Sequence, residues 1–167
     1  MDVDGTLTDG SLIVLPDGEE LKSYNVRDGM GILLAGEAGI KTGIITGKTS
    51  SALIKRAARL KIDEIHQGAM DKKRILFMIL KKYSFSKDEI AFIGDDLGDL
   101  EVLKTVGFSG AVSDAHPEVI QHSQFVSLYP GGKGAVREFI EFILKAQDKW
   151  SMIQDKLKLL SIGKGQE

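Results

Sequence analysis

The sequence predicts an α/β fold on a doubly wound parallel sheet, and three observations point to it. Short apolar runs at residues 43–45, 90–93 and 110–112 alternate with amphipathic stretches, the pattern of buried parallel strands separated by helices. Residue types capable of chemistry fall where apolar runs give way to loops, at Asp2, Thr46 and Asp95; such sheets bind their ligands beyond the carboxyl ends of the strands. At 167 residues the chain fits one domain with a single core.

In chain order, Met1-Asp2-Val3-Asp4-Gly5 reads as the end of a buried strand and the tight turn after it. The apolar strand that should precede Asp2 is not in the sequence. A longer protein or a misassigned start is therefore expected, and a chain beginning here is expected to lose stability and activity. Residues 11–26 read as a β-hairpin flap, with Leu12-Ile13-Val14-Leu15, the turn Pro16-Asp17-Gly18, and a second strand over 21–26. Helices are expected over 31–38, 50–60, 71–83, 99–106, 117–122 and 135–146. Ser86 and Glu89 have capping-box spacing, but a strand-like apolar run follows, so only a turn is read there. Residues 1–147 thus form one unit. Residues 148–167 form a C-terminal tail, in which Trp150, Met152, Ile153, Leu157, Leu159 and Leu160 suggest an amphipathic packing face.

Composition narrows the function. A net charge of −2 offers no electrostatic footprint for nucleic acid or an acidic membrane, so an anionic ligand must be bound locally. The absence of cysteine excludes disulfides, thiol catalysis and cysteine-ligated zinc. No apolar stretch approaches the roughly twenty residues that span a bilayer, and no signal peptide is visible, so the cytoplasm is the expected location.

Asp2 and Asp4 alternate along a strand, so both can address one small site, a carboxylate nucleophile and a carboxylic acid sharing one phosphate. Taken alone the pair is weak evidence, because strand-end aspartates also cap turns. Three later features strengthen it. Ile44-Ile45-Thr46-Gly47 places a hydroxyl after an apolar run, Gln67-Gly68-Ala69-Met70-Asp71-Lys72 brings a lysine to a helix start, and Gly94-Asp95-Asp96-Leu97-Gly98-Asp99 adds three carboxylates.

This order of nucleophile, hydroxyl, lysine and acidic cluster resembles the haloacid dehalogenase superfamily, most of whose members are Mg²⁺-dependent phosphohydrolases. The segments 2–10, 25–29, 94–99, 114–117 and 131–138 together resemble the 3-deoxy-D-manno-octulosonate 8-phosphate phosphatase family. The resemblance implies that Asp2 attacks phosphorus to form an aspartyl-phosphate. Asp4 would protonate the leaving sugar oxygen and then activate water. Mg²⁺ would be held by Asp2, the backbone carbonyl of Asp4 and Asp95, with Asp99 supporting through water or Lys72. Thr46, Gly47 and Lys72 would grip the phosphate oxygens.

Arg27 and Lys48 are candidates for the carboxylate of an acidic sugar. The octulosonate phosphatases are expected to carry arginine after the Thr-Gly pair and a related nononate phosphatase group glutamate. Lys48 matches neither but keeps the positive sign, which favours the octulosonate.

Blander roles stand beside these. Thr46 could cap the following helix, Lys72 could be a solvated helix lysine, and Asp96 could only cap the helix near Asp99. Residues 131–134 could be an anion-binding loop or a flexible connection. His66, His116 and His122 lack metal-ligand spacing.

Roughly forty residues separate Asp4 from Thr46, too few for an inserted cap domain, which leaves the hairpin as the only lid. The resembled family uses a homotetramer to wall the site, and hairpin residues Leu12, Val14 and Leu21 are candidate contacts. Two further readings remain: a signalling receiver domain, opposed by the chain order of its motifs, and a non-catalytic assembly module related to nucleotide-sugar synthetases.

Overall fold

Strand pairing places the chain's first residues at the centre of the architecture. The structure, a computed structural model, describes residues 1–163, with side chains through residue 158. A hairpin of β1 (Ile13–Val14) and β2 (Glu20–Leu21) leads into helix α1 (Val26–Glu37). Then follow β3 (Gly43–Ile45), α2 (Ser51–Arg59), β4 (Glu64–His66) and α3 (Lys72–Tyr83). The remainder is β5 (Ala91–Gly94), α4 (Leu100–Leu103), β6 (Phe108–Ala111), α5 (Pro117–Gln121), β7 (Phe125–Val126), α6 (Ala135–Ala146) and α7 (Trp150–Gly163).

β3 pairs with β4, and β5, β6 and β7 pair in that order, all in parallel. Residues 1–3 run between the two groups. The Met1 amine donates to Gly43 O at 3.0 Å, Ile45 N–H donates to Met1 O at 3.1 Å, and Asp2 N–H donates to Ile93 O at 3.1 Å. The order across the layer is therefore β4, β3, residues 1–3, β5, β6, β7. Val3, Ile44, Ile93, Val112, Val119, Val136 and Leu144 form a fully buried core with helices packed on it. Each such side chain contributes about 1.5–3 kcal/mol by leaving water. Phe108, Phe125, Phe139 and Phe142 form one aromatic cluster, with Phe108 and Phe139 stacked at 5.2 Å between centroids.

Several boundaries differ from the sequence reading. The second hairpin strand, expected over 21–26, is confined to Glu20–Leu21. Asn25 is the cause: its Oδ1 accepts from Arg27 N–H at 2.8 Å, an N-cap that starts α1 five residues before the expected position 31. Gly31 lies inside that helix because α6 approaches there, and a Cβ on it would meet Arg137 Cδ at 3.0 Å. The helix expected over 99–106 is a 3-10 turn, Leu97–Asp99, followed by the short α4. The turn after Ser86 is a 3-10 turn, Lys87–Glu89, with Ser86 N–H donating to Glu89 Oε2 at 2.9 Å.

β4 and β7 were not expected. β4 reads Glu-Ile-His, yet Glu64 is buried because Lys82, Tyr83 and His66 all bind its carboxylate.

In the tail, Ile153 is fully buried and Lys156 Nζ donates to Glu37 O at 3.1 Å, holding α7 against α1 and α6. Met152 and Leu157 are exposed, and the side chains of Leu159 and Leu160 lie outside the described residues. Among the described residues no helix is long and apolar enough to cross a membrane.

Candidate active site

The turn after residue 3 is drawn tight by one carbonyl. Val3 O accepts from the N–H groups of Thr6, Leu7 and Thr8 at 3.2, 2.9 and 3.0 Å, and Thr8 Oγ1 accepts from Gly5 N–H at 3.2 Å. Gly5 takes φ +88°, and a Cβ there would stand 2.0 Å from Asp95 Oδ2. Only glycine therefore lets this loop lie against the end of β5.

Asp2 is 6% exposed and Asp99 is 1% exposed. Lys72, the first residue of α3, bridges them: its Nζ donates to Asp2 Oδ1 and to Asp99 Oδ1, each at 2.7 Å. Asp99 Oδ2 accepts from Asp95 N–H at 3.1 Å, and Thr6 Oγ1 donates to Asp95 Oδ1 at 2.8 Å. Carboxylate oxygens of Asp2, Asp95 and Asp99 lie within 4.8 Å of one another. Asp4, two residues beyond Asp2, instead accepts an ion pair from Lys22, on the chain leaving the hairpin.

These placements decide several of the blander roles. Ser50 caps α2, its Oγ accepting from Leu53 N–H at 3.4 Å, so Thr46 does not. Thr46 is 2% exposed and ties two segments: its N–H donates to His66 O and its carbonyl accepts from Ala69 N–H, both at 2.9 Å. Gly47 follows it, half-buried beside Met70. Lys72 is not a solvated helix lysine, because its side chain is 11% exposed and doubly paired. Asp96 does cap, accepting from Leu97 N–H at 2.8 Å. Arg27 and Lys48 are exposed, and neither joins the carboxylate cluster through a hydrogen bond or ion pair among the described residues.

Residues 131–134 form neither an anion loop nor a flexible connection, because their amides are engaged internally. Gly131 N–H donates to Asp114 Oδ1 at 2.9 Å, Gly132 N–H to Thr6 O at 2.9 Å, and Gly134 N–H to Asp28 Oδ2 at 3.2 Å. A Cβ on Gly131 would stand 1.7 Å from Gly5 O, so the loop packs main chain to main chain on the turn that follows Asp4.

Electrostatics follow from crowding. Burial raises the Asp2 carboxyl above the usual range and the charge of Asp99 adds to this, with Lys72 opposing. Burial pushes Asp95 up to about 7, against the Thr6 hydrogen bond and with help from Asp2 and Asp99. Burial alone would lower Lys72, but the charges of Asp99 and Asp2 outweigh it and hold its ammonium above the ordinary value. Three carboxylates facing one ammonium leave surplus negative charge among hard oxygen donors. That donor set fits a divalent cation.

Sequence reasoning did not find Thr6 as the partner of Asp95 or Lys22 as the partner of Asp4. Nothing local signals either contact, because the partners lie eighty-nine and eighteen residues apart.

A parallel sheet that gathers an aspartate pair, a buried lysine and two further carboxylates beyond its strand ends defines a metal-assisted hydrolase of the α/β class. Residues 61–140 match the family model described as haloacid dehalogenase-like hydrolase. The 3-deoxy-D-manno-octulosonate 8-phosphate phosphatase of Escherichia coli K12 is 42% identical over 149 residues, 89% of this chain and 79% of that protein. Its Yersinia pestis counterpart is 43% identical over 148 residues, with the same coverage. The solved Moraxella catarrhalis phosphatase of that name, in complex with magnesium ion, phosphate ion and a KDO molecule, superposes with TM-score 0.92 at 38% identity. The match covers 94% of this chain and 90% of that one. The chain belongs to the haloacid dehalogenase-like hydrolases and, within them, to the 3-deoxy-D-manno-octulosonate 8-phosphate phosphatase family.

Proposed function

We infer that this chain hydrolyses 3-deoxy-D-manno-octulosonate 8-phosphate to the free sugar and phosphate, a step in making lipopolysaccharide precursors. The observation that carries this reading is the convergence of Asp2, Lys72, Asp95 and Asp99 beside Asp4, in a chain of that family.

Asp2 is the nucleophile. One of its carboxylate oxygens attacks phosphorus and the bond to the sugar oxygen breaks, while Asp4 delivers a proton to that leaving oxygen. Water then attacks the aspartyl-phosphate and Asp4 takes its proton. The Asp2–phosphorus linkage breaks, and phosphate leaves with the Asp2 carboxylate restored. Thr46, Gly47 and Lys72 hold the non-bridging oxygens, and the Lys72 ammonium offsets charge that the carboxylates alone would repel. Mg²⁺ is the cation this site would hold, through Asp2, the Asp4 carbonyl and Asp95 with Asp99 behind. When bound it supplies Lewis-acid neutralisation of the phosphate charge.

Arg27 and Lys48 are proposed for the sugar carboxylate, both being exposed cations on segments that flank the site motifs. The unit over 1–147 is read as capless, with the tail over 148–167 appended. Leu12, Ile13, Val14 and Leu21 are each about half exposed on the hairpin, which supports a homotetramer in which this apolar flap meets a neighbouring copy. A cytoplasmic location suits a chain without cysteine.

The test is Mg²⁺-dependent phosphate release from the octulosonate 8-phosphate, the related nononate 9-phosphate and simple hexose phosphates. Strong preference for the first is expected, with Asp2→Asn folded but inactive. Preference for the nononate would replace the substrate, and activity surviving Asp2→Asn would overturn the mechanism. Light scattering of the eluting protein checks the tetramer.

A further inference from the structure

The reading of Asp4 as proton donor and acceptor, on which the following rests, leaves one charged group in the site without a role. Lys22 lies one residue beyond β2, on the chain returning from the hairpin, and its side chain is only 4% exposed. An ammonium withdrawn from water to that degree needs an opposite charge, and it finds Asp4, eighteen residues earlier, whose side chain is 29% exposed. The contact uses Asp4 Oδ1 alone. Asp2, by contrast, is served by Lys72, so the two aspartates of the motif are each held by a separate lysine from a separate element.

An aspartate side chain at a turn has two torsions to settle, and a proton transfer succeeds only if the carboxylate faces the reacting oxygen. Asp2 is fixed by burial and by Lys72. Asp4 is the more exposed of the pair, and Lys22 is the ion-pair partner that fixes it. We propose that Lys22 is a positioning residue for Asp4. Its ammonium holds Oδ1 so that Oδ2 faces the leaving oxygen, and the same contact fastens the hairpin to the nucleophile loop. A fastened flap therefore coincides with an aimed proton donor, and a flap lifted away releases the donor from its orientation.

The experiment compares kcat/KM for the sugar phosphate with kcat/KM for p-nitrophenyl phosphate, whose leaving phenolate needs no proton. This ratio reports steps up to departure of the leaving group, before water attacks. General acid catalysis supplies typically 10²–10⁴-fold, so Lys22→Met should lower kcat/KM for the sugar phosphate by roughly tenfold to a hundredfold. For p-nitrophenyl phosphate the loss should stay below about threefold, since orientation of the acid then contributes little. Lys22→Arg, which keeps the charge, should recover part of the loss. In an Asp4→Asn background, Lys22→Met should cost nothing more, because the group it orients is gone.

Equal losses on both substrates, an unchanged sugar-phosphate rate, or a loss that multiplies with Asp4→Asn would each overturn the proposal. The parent reading fails separately: Asp4→Asn would then lower both substrates equally. Should Lys22→Met prove unstable, the leaving-group ratio of Lys22→Arg carries the test. A ratio shifted towards that of Asp4→Asn supports positioning, and a parental ratio with the ion pair displaced refutes it.

Discussion

Replacing Lys72 by methionine keeps most of the side-chain stem and removes the ammonium that bridges Asp2 and Asp99, each at 2.7 Å. Both carboxylates are buried, at 6% and 1% exposure. Removing one partner from a buried ion pair costs on the order of 3–5 kcal/mol. Protonation sets a ceiling on that cost for each carboxylate. Neutralising an aspartate of ordinary value near 3.9 takes about 4 kcal/mol at pH 7 and about 1.5 kcal/mol at pH 5. The sign follows from proton counting. Without the ammonium, Asp2 binds its proton more readily in the folded variant than in the unfolded chain, so the stability lost relative to the parent is smallest in acid and grows as pH rises. A chain of this size loses about 2–4 °C of melting temperature per kcal/mol. In EDTA at pH 7, Lys72→Met should therefore melt roughly 6–20 °C below the parent, with the gap shrinking to less than half at pH 5. Circular dichroism melts at the two pH values make the measurement. A gap of equal size at both, or one below about 2 °C at pH 7, refutes the account of Lys72 as the electrostatic tie.

Three other outcomes follow from the same geometry. Gly5→Ala combines left-handed strain of about 1–2 kcal/mol with a Cβ placed 2.0 Å from Asp95 Oδ2, so calorimetric titration should show Mg²⁺ affinity falling at least about tenfold. Burial raises the Glu64 carboxyl, but hydrogen bonds from Lys82, Tyr83 and His66 outweigh it and hold the group down at about 2. This depressed group contributes stability that is present above its unfolded value of 4.5 and is lost as pH falls towards 2; Glu64→Gln should flatten that part of the acid melting profile while leaving turnover unchanged. Arg27→Ala should raise KM for the acidic sugar phosphate more than for a neutral phosphate ester, and an equal rise on both removes Arg27 from carboxylate recognition.

Much of the chain was readable because its signals are local. Residues 135–146 form the helix that their periodicity predicts, and Asp2, Thr46 and Asp95 stand at the strand ends where the alternation of apolar runs put them. β4 escaped notice because two of its three residues are polar, and what lets Glu64 be buried lies eighteen and nineteen residues away on α3. The early start of α1 depended on Asn25 acting as a cap rather than as a strand end. The Thr6–Asp95 bond joins residues eighty-nine apart, and no local pattern registers such a contact. The glycines at 131 and 132 were visible, but not the backbone of Gly5, Thr8 and Asp9 that fills the space their missing side chains leave.

The chain contains one tryptophan, and Trp150 sits at the start of the last helix with the Arg137 guanidinium 5.9 Å and the Lys145 ammonium 5.2 Å from its ring. Both cations belong to α6, so the indole's electronic surroundings exist only while α7 stays docked on it. Intrinsic fluorescence of the unlabelled protein is thereby a private optical channel for that docking. Followed alongside phosphate release in a denaturant series, its emission dates the departure of the last helix against the loss of chemistry, with no label attached and no residue of the site disturbed.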